Sequence, residues 1–249
     1  MRCAVRMLRF GSIALALALG TGCESSPRPI EFDPSSDGPA TPDGLYRVRT
    51  TRVGAAYLRP GVSFAEYDGV LIDPVTVSYA RRSRPDRSRV TGAQPAEFNL
   101  HPETMDQLKR IFQESFERTL GRSQAYTIVS EPGPRALRVA GHIVDLSVNV
   151  PNIRGRERTF VMNSGTMTLV LDVRDSQTGQ PLARVADQRV IRPAEASIVG
   201  GVESNPVNNW GAVRQLFLTW AGILRDGLDN LHALPVPPTP SLGEERSDL

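Results

Sequence analysis

His142 and Asp145 stand three residues apart in a stretch of alternating apolar residues. Side chains along a regular strand alternate between faces, so this spacing would separate them. A β-bulge between them would bring both to one face, and a His–Asp pair is two thirds of a hydrolase triad. The simpler reading is the polar edge of a bulged strand. Gly121-Arg122-Ser123-Gln124-Ala125 approaches a nucleophile elbow but has Ala where the second glycine belongs. It also leaves a helix and enters a strand, the reverse of the order an elbow needs. His101, His142 and His232 fall in three different elements, and no His-Glu-x-x-His spacing occurs. The only cysteines are Cys3 and Cys23, so zinc has no ready ligand set. Asp172 and Asp175 flank a turn, where aspartate needs no catalytic reason. With no phosphate loop or dinucleotide fingerprint, no metal or other cofactor is expected, and the chain reads as a non-enzyme.

The densest charge lies between residues 81 and 89, where Arg81, Arg82, Arg84, Arg87 and Arg89 surround a single Asp86. Guanidinium forks match phosphates and carboxylates, which makes these five arginines a candidate contact for an anionic surface or an acidic partner. A solvated loop is the plainer reading. The formal net charge of +2 is owed to Arg2, Arg6 and Arg9, and the remainder is close to neutral. A balance of that kind gives no electrostatic case for nucleic acid.

Those three arginines precede the apolar run Phe10–Leu19, too short for the roughly 20 residues of a membrane span. Small residues follow at Gly20, Thr21 and Gly22, and then Cys23. This is the grammar of a secretory signal, and its end resembles the bacterial lipobox, with Gly20 at the position usually held by leucine. The resemblance implies that the Cys23 thiol receives a diacylglyceryl group, that the chain is cut before it, and that the new amino group is acylated. By the same resemblance to sorting signals, Glu24 in place of aspartate favours the outer membrane. Several acyl chains anchor stably, at about 0.8 kcal/mol per buried methylene. From Glu24 to Gly44 the chain is dominated by Pro, Ser, Asp and Gly, which reads as a tether.

Beyond the tether, Tyr67–Tyr79 reads as a strand broken at Pro74. Met105, Leu108, Phe112, Phe116 and Leu120 form a helical stripe, with Pro102 in the first turn and Gly121 as a carboxyl-terminal cap. A short strand is expected within Ala125–Ser130. Leu137, Val139, Gly141 and Ile143 alternate on odd positions, then Val144, Leu146, Val148 and Val150 on even ones, a phase change that marks a bulge. Met167–Val173 and Leu182–Ile191 form a hairpin about the turn Asp175–Gln180. Trp210, Val213, Phe217, Trp220, Leu224, Leu228 and Leu231 define a second helix, with Asn208 or Asn209 as its cap, and both tryptophans fall within its apolar stripe. The expected fold is α+β: a mixed, mostly antiparallel sheet with two amphipathic helices packed on one face. The expected organisation is a signal peptide at 1–22, a lipidated Cys23 and tether at 23–44, one domain at 45–233, and a disordered proline-rich tail at 234–249.

The ordered set YDGVLIDPVTV, F-x-x-S-F-x-x-x-L, YTIVSEPGPRALRVAGHIVDL, LVLDVRDSQTGQPLAR and WAGILRDGLDNL resembles the bacterial lipoproteins grouped as domain of unknown function 3313, from about Leu45 to Leu231. That resemblance implies a lipoprotein facing the periplasm and supplies no catalytic residue. The resulting expectation is a non-catalytic accessory protein, anchored at the outer membrane and presenting its body to an envelope protein partner. The alternatives are a module binding a lipid or small amphiphile between sheet and helices, and a hydrolase using His142 and Asp145.

Overall fold

The computed structural model describes residues 26–33, 39–79, 102–148, 165–191 and 206–240. Cys23, His101 and the arginines Arg81 to Arg89 lie outside the described residues. The strands are β1 (Tyr46–Val48), β2 (Ala55–Leu58), β3 (Gly69–Ile72), β4 (Thr76–Tyr79), β5 (Thr127–Ile128), β6 (Ala136–Val148), β7 (Gly165–Asp175) and β8 (Pro181–Ile191); the helices are α1 (Pro102–Leu120) and α2 (Pro206–His232). The strands make one sheet in the order β1-β2-β8-β7-β6-β3-β5, with β4 also on β6. The long pairings β6–β7 and β7–β8 are antiparallel, whereas β3 and β4 run parallel to β6. This is the expected α+β sheet, and its parallel pairs exist because α1 carries the chain across between them.

The strand expected over Tyr67–Tyr79 is two strands in line. β3 pairs with residues 136–139 and β4 with residues 142–146 of the same β6, while Pro74, which has no N–H to give, sits in the gap. The bulge in β6 lies slightly later than the phase change suggests. Register slips between Val144 and Ser147, and Asp145 takes a left-handed φ of 52°. Asp145 is exposed and Leu146 is buried, so the extra residue returns the apolar side chain to the core face.

Both helices lie on the face made by Val139, Gly141 and Ile143 of β6 and by Met167, Leu169, Leu171 and Val173 of β7. Against it pack Leu108, Ile111, Phe112 and Phe116 of α1 with Val213, Phe217, Trp220, Leu224 and Leu228 of α2. Phe112 stacks on Phe116 at 4.1 Å and meets Phe217 edge-on at 5.4 Å. Gly121 ends α1, but not by the left-handed geometry of a usual cap. A Cβ there would stand 2.9 Å from the Glu117 carbonyl, so close approach of the backbone is what requires glycine. α2 starts at Pro206, earlier than the expected asparagine caps, because proline suits the first helical turn.

Two stretches expected to be free make contacts with the body. Asn230 brackets the backbone of Arg28, its Oδ1 accepting from the Arg28 N–H at 2.7 Å and its Nδ2 donating to the Arg28 carbonyl at 3.0 Å. The chain then runs antiparallel beside β1, with Asp33 N–H bonded to the Arg47 carbonyl and Arg49 N–H to the Glu31 carbonyl. Ile30 and Phe32 supply the reason, since both pack against the core. Near the other terminus, the Gly61 N–H donates to the Pro238 carbonyl at 3.0 Å.

Candidate functional site

The sheet face turned away from the helices carries two of the polar groups singled out in the sequence, His142 and Asp172. On β6 it presents Arg138 and His142, on β7 Thr168, Val170, Asp172 and Arg174, and on β8 Arg184, Ala186, Gln188 and Val190, because these alternate with the core residues. Asp172 lies opposite Arg184 across the β7–β8 pair, and Val170 lies opposite His142 across β6–β7, which puts His142 and Asp172 on a diagonal.

His142 does not pair with Asp145. Its Nδ1 lies 2.8 Å from the Thr76 hydroxyl on β4, and its Nε2 lies 3.7 Å from Asp172 Oδ2. The bulge does not unite His142 and Asp145 but gives Asp145 a backbone turn of its own toward solvent. A Thr–His–Asp line therefore exists, but Asp172 is committed elsewhere. Its Oδ1 accepts from Arg184 Nε at 2.5 Å and its Oδ2 from Arg174 Nη2 at 3.4 Å. Arg184 in turn reaches Asp43 Oδ2 at 2.9 Å. Asp172 is 7% exposed, and with a guanidinium on each oxygen it clamps β7 to β8, while the imidazole at 3.7 Å stands beyond hydrogen-bond distance. Arg184 keeps its proton firmly; burial disfavours its charge, but Asp172 and Asp43 together outweigh that.

Asp175 fixes the β7–β8 turn. Its Oδ1 accepts from the N–H groups of Gln177 and Thr178 and from the Thr178 hydroxyl, its Oδ2 accepts from the Tyr67 hydroxyl at 3.0 Å, and Gly179 takes φ 70°. Burial raises the carboxyl pKa, but these hydrogen bonds overcome it and hold Asp175 below the usual carboxylate range. Ser123, the would-be nucleophile, donates to Asp229 and accepts from the N–H groups of Ala125 and Tyr126, which is loop bracing after α1. His232 meets Tyr126 edge-on at 5.3 Å, at the end of α2. Among the described residues no group of three or more His, Cys, Asp or Glu side chains could hold a metal ion. None of the helices described is long and apolar enough to cross a membrane.

One polar cluster was not singled out by sequence reasoning. Asp187 and Arg189 are in register with Leu169 and Met167 and so face the helices. Asp187 accepts from Trp220 Nε1 at 2.8 Å, from Arg189 Nε at 2.6 Å and from the Gly54 N–H at 3.0 Å. The signal for it was the charged pair at odd positions of β8, in phase with core residues.

These features define an α+β protein whose charged sheet face is internally paired and whose two described histidines, His142 and His232, serve separate elements. The family model described as Protein of unknown function (DUF3313) matches residues 40–224, and the chain belongs to that family. No curated protein matches it. Among solved structures it is similar to the PelC dodecamer from Paraburkholderia phytofirmans, at 12% identity over 68% of this chain and 96% of that one, with a TM-score of 0.31. A DUF330 protein from Xanthomonas campestris matches at 11% identity over 68% and 85% of the two chains, with a TM-score of 0.36. A hypothetical protein from Chlamydia trachomatis matches at 14% identity over 66% and 98%, with a TM-score of 0.34.

Proposed function

We propose that this protein is a lipid-anchored, non-catalytic accessory module of the bacterial envelope. It is held at the outer membrane through Cys23 and meets a protein partner on the open face of its sheet. The observation that carries this reading is the pairing within that face. Asp172 and Asp43 balance Arg174 and Arg184, and Thr168, Val170, Ala186, Gln188 and Val190 lie beside them as a two-strand surface of mixed polarity, with Val190 39% exposed. Such a surface suits protein contact, since partners are met by apolar area and pre-paired charge more than by free ions. The space between sheet and helices, where a bound amphiphile would sit, is filled by Phe112, Phe116, Phe217, Ile143 and Leu169.

The test has two arms. Labelled palmitate is expected to enter the wild-type protein and not Cys23→Ala; equal incorporation in both refutes the anchor. A photo-crosslinking residue at Gln188 is expected to yield a discrete adduct in cells that the same residue at Glu103 does not. Adducts from neither position, or equally from both, refute the partner face.

A further inference from the structure

The docking of Arg28 limits how far the body can stand from its anchor. Only five peptide links separate Cys23 from Arg28, a reach of at most about 18 Å when fully extended. Arg28 is bonded in both directions to Asn230, two residues before the end of α2. Ser123, just past the end of α1, is bonded to Asp229 beside it. α1 and α2 lie side by side in the same direction, since Phe112 meets Phe217, and the Ser123 region meets Asp229. Both helices therefore finish at the end of the molecule where the anchor emerges. The start of α1 lies about 28 Å away along a 19-residue helix, beyond the span of those five peptide links. At the finishing end, four residues beyond α2, Val236 is 70% exposed, the most exposed of the large apolar residues described. The charges nearby are matched, with Arg52 and Arg225 set against Asp226 and Asp229, so neither sign opposes close approach to a lipid surface.

We infer that the end of the body formed by Arg28, Asn230 and Val236 lies against the lipid surface, and that the start of α1 points away from it. This rests on the lipid-anchor reading above. The tether is in effect the few residues before Arg28, because Ile30 and Phe32 are folded into the body. The protein is thus held close and in one orientation, with Val236 at the lipid headgroups.

The experiment uses the full-length lipidated protein in vesicles of phosphatidylethanolamine and phosphatidylglycerol that carry a headgroup nitroxide. An environment-sensitive fluorophore is attached by maleimide at Val236→Cys or, as the distant site, at Glu103→Cys. Quenching is expected to be several-fold stronger at position 236. Equal quenching, or stronger quenching at position 103, overturns the orientation. Wild-type protein is expected to take up no maleimide, because Cys23 is blocked and Cys3 leaves with the signal; uptake overturns the anchor reading instead. Inserting about twenty Gly/Ser residues after Ser25 gives the tether a typical reach of about 25 Å, and the contrast between the two sites is expected to fall. A contrast that survives the insertion overturns the claim that tether length sets the orientation.

Discussion

Phe112 of α1 points the tip of its ring at Gly141 of β6, so closely that a Cβ at position 141 would sit 2.5 Å from the ring Cζ. The ring is fully buried and wedged between Phe116 and Phe217. It has no room to withdraw. Gly141→Ala is therefore expected to cost about 1–3 kcal/mol through overpacking, read as a lower urea midpoint with an unchanged slope. Combining it with Phe112→Leu is expected to recover part of that loss, because a smaller side chain vacates the contact. A Gly141→Ala protein as stable as the wild type would contradict the packing described.

Asp187 is a charge on the core face, kept there by three donors. Asp187→Ala leaves the indole N–H of Trp220, itself 2% exposed, without a partner, and the expected loss is about 1–3 kcal/mol. Asp187→Asn keeps an acceptor and is expected to lose less. Trp220 fluorescence offers a second readout, and its emission is expected to shift in Asp187→Ala before global unfolding.

The pair His142–Asp172 separates a structural role from a catalytic one. Asp172→Ala removes the partner of Arg184 and Arg174, and should cost about 2–3 kcal/mol for a charge-assisted contact. His142→Ala, which loses one hydrogen bond to Thr76, should cost about 1 kcal/mol or less. Thermal melts of the two variants check the order. A greater loss at His142 would reverse the assignment of Asp172 as the cross-strand clamp.

Acid stability should depend on Asp175. A carboxyl whose pKa is depressed on folding adds stability above its ordinary pKa, and that stability is lost as pH falls through the folded value. Tyr67→Phe removes one donor to Asp175, so the stability gap between wild type and variant is expected to be widest near neutrality. The gap narrows below about pH 4 as the carboxyl takes up its proton. The Tyr67 phenol is itself pushed up to about 12 by burial and by Asp175. It remains a donor across the neutral range, and the stability it adds disappears in strong alkali, as pH rises from about 10 through the folded value. Denaturant melts across this pH range give the result directly.

The helices and the central hairpin were legible because each carries its own periodicity. The stripe from Leu108 to Leu120 and the alternation Met167–Val173 are visible in a short window, and both belong to the core. β1 and β2 were not visible. Tyr46–Val48 and Ala55–Leu58 are three and four residues long, and β2 is a strand because it pairs with Ala183–Ala186 far along the chain. Local pattern cannot carry information of that kind. The same holds for the site. His142 stands out in the sequence, and Asp145 is the partner that its spacing and a bulge would offer. Asp172 reaches His142 only through register across two strands, and register is fixed by the whole sheet.

The seat of β2 on β8 also has a consequence for how the chain is made. β1 and β2 leave the ribosome long before the strand that receives β2, Pro181–Ile191. Contacts that span so much of the chain close slowly. Until β8 is complete, the edges of β1 and β2 have no seat in the sheet. β1 and β2 have each other as partners, but that pair joins the sheet only once β8 is made, so a late part of the sequence is what admits an early one.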